Sequence, residues 1–139
     1  MIITRTPAVT AARAARLEQA KSEAVEAINA AVGAARARHI TVLPAQDMIY
    51  MAKEAQARAF LASEDPDDAP LLVVEVGITA PTLYEVAQTI INLADIWRTL
   101  AGLLEGLRLG TIAAVNAATE ASQIDAAIIT FDQTLATIP

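Results

Sequence analysis

The stretch TLYEVAQTIINLADIWRTLAGLLEGLRLGTIAAVNAA (residues 82–118) decides the fold. Within it Leu83, Val86, Ile90, Leu93, Trp97, Leu100, Leu104 and Leu107 follow one another at steps of three and four. Such steps keep side chains on one stripe of an α-helix, whereas a strand alternates at every second residue. At about 1.5 Å per residue the helix is roughly 50 Å long.

Written as heptads from Leu83, this helix has large apolar residues at every a and d position. A two-stranded zipper carries charges at e and g. Here Ala87, Ala94 and Ala101 occupy e, and Ile96 and Leu103 occupy g. The polar stripe is confined to Glu85, Gln88, Asn92, Asp95 and Thr99. The helix is therefore expected to be covered on most of its circumference, by its own chain and by a sister subunit.

Gly102, Gly106 and Gly110 fall at four-residue intervals on one face. Each glycine costs about 1 kcal/mol against alanine inside a helix, so the three together cost roughly 3 kcal/mol. Close approach by another helix would offset this. The alternative is that the helix bends or breaks near Gly110. A ligand seated along the glycine groove is a third possibility and would make the chain a small regulatory module.

Working towards the N-terminus, Leu71 to Val76 is rich in β-branched residues, yet no strand of comparable length exists to pair with it. A short helix from Asp68 or Ala69 to Val76, stopped by Gly77, is preferred to a strand. Thr79 or Ala80 then caps the central helix. Ser63 to Pro70 (SEDPDDAP) reads as a loop. Its acidic residues lack the ligand spacing, central glycine and terminal glutamate of a calcium loop.

A second helix is predicted from about Ala45 to Ala62, burying Met48, Ile49, Ala52, Ala55, Ala59 and Phe60. Ile40 to Leu43 reads as a short extended connector closed by Pro44. The first helix starts at Pro7 behind Thr6 and runs to about Arg38, with Leu17, Ala24, Ile28, Ala31 and Ala35 as its apolar stripe. Arg36, Arg38 and His39 complement the negative end of its dipole.

Towards the C-terminus a last helix restarts at Ser122. Ile124, Ala127, Ile128, Phe131 and Leu135 form a stripe suited to antiparallel docking on the central helix. The reading is an all-α helical bundle with one long central helix and a long N-terminal helix, completed by oligomerisation. Residues 1–43 form the N-terminal helix and connector and 44–139 the bundle proper, folding together as one unit.

Composition narrows the function. The 139 residues include 55% hydrophobic but only 4% aromatic side chains, and the excess is alanine and aliphatic. Mean hydropathy is +0.42, but charges interrupt every run long enough to span a bilayer. A net charge of −6 argues against nucleic acid as a partner. There is no cysteine, so thiolate chemistry and disulfides are excluded. Residues 1–5 lack the apolar core of a signal peptide, and signal-dependent export is not expected.

No catalytic constellation has discriminating spacing. The three glycines are not followed by the Lys and Ser or Thr of a phosphate loop. A single histidine, His39, lacks a second ligand or base nearby in sequence. No enzymatic activity, cofactor or metal is expected. The candidate functional residues are packing residues: Leu83, Ile90, Ile96, Trp97, Leu100, Gly102, Leu103, Gly106 and Gly110.

From Pro70 onward the string PLLVVEVGITAPTLYEVAQTIINLADIWRTLAGLLEGLRLG resembles a small helical domain of uncharacterised tail proteins from tailed bacteriophages and prophages. The likeness rests on the P-L-L…E-V-G-I-T-x-x-T-L-x-E-V-A run, on Trp97 seven residues after Ile90, and on the later L-E-x-x-R-L. PAQDMIYMAKEAQARAFL (residues 44–61) is similar to the segment preceding that domain, so the resemblance covers about residues 36–118. It implies a virion or tail-fibre-associated role, in the particle and, during assembly, in the host cytoplasm. Its partners would be its own copies, a trimer among the possibilities, and other tail or fibre proteins. Either a structural or adaptor subunit or a fibre-assembly chaperone fits. The β-rich shafts of receptor-binding fibres have no counterpart in this chain.

Overall fold

A computed structural model describes residues 6–39 and 46–139. The connector expected at Ile40 to Leu43 lies outside them. The protein is all-α: α1 (Pro7–Ala37), α2 (Gln46–Ser63), α3 (Pro70–Val73), α4 (Leu83–Ala117) and α5 (Ala121–Thr137). Among the described residues there is no strand, only an isolated bridge between Val76 and Ala80. The chain divides into two compact units, one formed by residues 1–36 with 101–139 and the other by residues 37–100.

In the unit of residues 37–100, Ala57 and Phe60 of α2, Ala69 and Leu72 around α3, and Val86, Ala87 and Ile90 of α4 form one core. Polar contacts fix its register. Gln56 accepts from the Leu71 amide at 2.8 Å, and Lys53 pairs with Glu75. Burial alone would raise the Glu75 pKa, but hydrogen bonds from Lys53 and Thr79 outweigh it and hold the carboxyl below its ordinary value.

Two sequence readings are corrected in this unit. Met48 and Ile49 are exposed, at 72% and 45%, and Ala55 and Ala59 are exposed as well. The buried side of α2 carries Phe60, as expected, together with Ala57, and Ala52 is half-buried. Alanine occurs on every side of this helix, so apolar spacing alone does not select the contact face. The short helix before Gly77 is also briefer than expected. Asp65 accepts from the Asp67 amide and starts a 3-10 turn (Pro66–Asp68), and α3 occupies only Pro70–Val73. Gly77 has φ +85° as its amide turns back to the Ala80 carbonyl.

In the other unit α1 lies antiparallel to the second part of α4, because Lys21 reaches the Asn116 carbonyl, Asn29 meets Arg108 and Arg36 meets Glu105. Its core includes Ala24, Ile28, Val32 and Ala35 of α1, Leu104, Thr111 and Val115 of α4, and Ile124 and Phe131 of α5. Thr111 is accommodated because its hydroxyl donates to the Leu107 carbonyl one turn back. Val32 is a buried residue that the expected α1 stripe omits, and Leu17 and Ala31 are half-buried. The α5 stripe is as read from the sequence, with Ile124 and Phe131 buried and Ala127, Ile128 and Leu135 half-buried.

Candidate helix-packing interface

The candidate interface is built on α4, so its start matters first. The cap is Thr82, not Thr79 or Ala80. The Thr82 hydroxyl accepts from the Glu85 amide, and the Glu85 carboxylate accepts from the Thr82 amide and hydroxyl. This reciprocal box satisfies amide groups that have no partner inside the helix. From there α4 runs unbroken through all three glycines to Ala117. The break considered at Gly110 does not occur.

Two ion clusters hold α4 to its neighbours. Arg98 donates to both Glu54 oxygens, and Arg58 and Arg98 each lie 3.3 Å from Asp95. The hydrogen bond from Arg98 is the main reason that Glu54 titrates below its ordinary value. In the other unit Arg108 grips Glu105 at 2.8 and 2.9 Å while Arg36 reaches it at 3.0 Å. These contacts, that of Arg108 first, lower the Glu105 pKa to about 2. Both clusters are substantially exposed, so they fix register more than they add stability.

The residues singled out from the sequence separate into two sets. Ile90 and Leu100 are buried by the chain itself, and Leu83 and Trp97 are half-buried. Ile96 and Leu103 remain open, at 66% and 54% exposure, and Leu93 on the heptad seam is 61% exposed. A side chain added at Gly102, Gly106 or Gly110 would meet nothing within 4 Å. Close approach within the chain therefore does not account for the glycines. They border a shallow groove alongside α5, whose far wall includes Thr130, Thr134 and Thr137.

Sequence reading missed the exposed Met48 and Met51 and the exposed Val74 and Ile78. High β-branched or Met content in short segments was the available signal, but it reads equally well as core. Among the described residues no three metal-capable side chains come together, and no helix is long and apolar enough to cross a membrane. What this surface offers chemically is contact: aliphatic side chains, glycine backbone and uncharged hydroxyl and amide groups. No protein-family model, curated protein or solved structure matches the chain.

Proposed function

We propose that the chain is a non-enzymatic structural or adaptor subunit of a phage tail or virion. It acts through helix-to-helix contacts with its own copies and with tail or fibre proteins. The observation that carries this reading is the exposure of Ile96 and Leu103 on one side of a long, unbroken helix. Large apolar side chains aligned on a helix face mark contact sites. The resemblance of residues 36–118 to tail-protein domains supplies the biological setting.

Mass spectrometry of purified particles tests the proposal. The polypeptide is expected at a fixed ratio to the other tail proteins, and its absence would overturn a structural role. A second reading, a fibre-assembly chaperone, draws on Met48 and Met51, exposed at 72% and 75%. Exposed methionines suit adaptable, reversible binding. Co-purification with unassembled fibre chains, together with loss on maturation, would favour that reading instead.

A further inference from the structure

We infer that two copies of this chain pair along the outer face of α1, antiparallel and two-fold about a point between Gln19 and Ala20, held by reciprocal ion pairs. The proposal takes up the self-contact of the reading above, but it stands on residues 6–34, which lie in one compact unit. Residues 6–16 are all exposed, so nearly three turns of α1 are left uncovered by the chain itself. They carry Arg13 and Arg16 and no acidic group. Beyond them Glu23 and Glu26 are exposed in turn, on the side of the helix away from Ile28, Val32 and Ala35.

These four charges are unrelieved in the single chain. Arg13 and Arg16 stand three residues apart, as do Glu23 and Glu26, and like charges at that spacing destabilise a helix. No opposite charge lies three or four residues from any of them. Among the described residues none of the four has an ion-pair partner, whereas Lys21, Arg36, Lys53, Arg58, Arg98 and Arg108 all do. Glu23 accepts only from the Gln19 amide group, at 3.1 Å. A polyanion drawn to the arginines would be repelled by the glutamates. A surface with the same charges in reverse order satisfies all four, and an antiparallel copy presents it, because a two-fold contact sets a surface against itself reversed. In this register Arg16 lies opposite Glu23 and Arg13 is level with Glu26, twice over. Parallel pairing would set arginine on arginine. The exposed residues that flank the ion pairs on the same face are Val9, Ala12, Ala27, Ala30 and Ala34. Their short side chains let the two backbones come close enough for the ion pairs to close. The net charge of −6 does not oppose the contact, since two arginines and two glutamates balance on this face and Glu18 pairs with Lys21 at 3.5 Å.

The area sets the expected strength. From Val9 to Ala34 the face is about 38 Å long, and a helix is about 10 Å across. A total of roughly 750 Å² would be covered, which belongs to weak, reversible complexes. The dimer should form at high concentration, dissociate on dilution and weaken roughly fivefold between about 0.05 and about 0.5 M salt, where exposed charges are screened.

A charge swap read by sedimentation equilibrium tests the pairing. Arg16→Glu and Glu23→Arg should each weaken association roughly tenfold while keeping the far-ultraviolet circular dichroism of the parent, because each sets like charges together. The double variant Arg16→Glu with Glu23→Arg restores the complement and should return to within about threefold of the parent. The chain has no cysteine, so single introduced thiols report direction. Gln19→Cys, beside the axis, should give a disulfide-linked dimer on mild oxidation, and Ala12→Cys, about 22 Å from its own copy in this register, should not. Self-linking of Ala12→Cys would show parallel pairing and overturn the proposal. So would a parent that stays monomeric at high concentration, single variants that associate like the parent, or a double variant as weak as the singles. Failure here leaves the tail-subunit reading to particle mass spectrometry, and absence from particles leaves this pairing to stand or fall by the charge swap.

Discussion

Glu105 lies between two guanidinium groups, and that position has a pH signature. Its folded pKa, about 2, is below the ordinary 4.5. A carboxylate with a depressed pKa contributes stability above its unfolded value and loses it as pH falls through the folded value. The thermal midpoint should therefore decline as pH drops from about 4.5 towards about 2. Glu105→Gln should lower the midpoint at neutral pH and flatten the decline, as read by calorimetry across that range. Gly77 supplies a second test. At φ +85° a side chain is strained even in open space, so Gly77→Ala should cost about 1–2 kcal/mol in urea melts.

At the scale of elements, apolar spacing predicts α1 and α5 well because each has a stripe that its own unit buries. The α5 stripe shows this: Ile124 and Phe131 recur at seven residues, and both are buried. Phe131→Ala should cost about 3–5 kcal/mol, the range for emptying a buried aromatic site. Trp97→Ala should cost less, since Trp97 is only half-buried; equal losses in parallel denaturant melts would contradict its placement. Legibility fails where side chains are small or segments are short. In α2 the alanines fit any face, and Leu71 to Val76 is too brief for its period to separate helix from strand. The glycine row was legible as a row but not in its surroundings, because spacing cannot say whether a neighbour is present. Its openness leads to a prediction of its own: Gly106→Ala, measured at high dilution, should stabilise the chain by about 0.5–1 kcal/mol through helix propensity.

At the scale of the whole chain, the two units differ in how far apart in sequence their contacts lie. Lys21 to Asn116 spans 95 residues and Asn29 to Arg108 spans 79. In the other unit Gln56 to Leu71 spans 15 and Glu54 to Arg98 spans 44. Closing longer loops costs more entropy before any contact forms, and contacts distant in sequence slow folding. Pulse-labelling hydrogen exchange during refolding should protect amides of α2 and of Val86 to Ile90 before those of Ile28 to Ala35. Simultaneous protection would show that the units form in one step.

The two lysines of the chain are Lys21 and Lys53, and each ammonium group is already occupied. Lys21 donates to the Asn116 carbonyl and Lys53 is paired with Glu75, their side chains only 14% and 18% exposed. Acylating reagents must reach the amine, so neither lysine is a ready target while the helices hold. Biotin esters and amine-reactive dyes would then modify both side chains chiefly after the helices come apart, and their uptake becomes a chemical clock for opening.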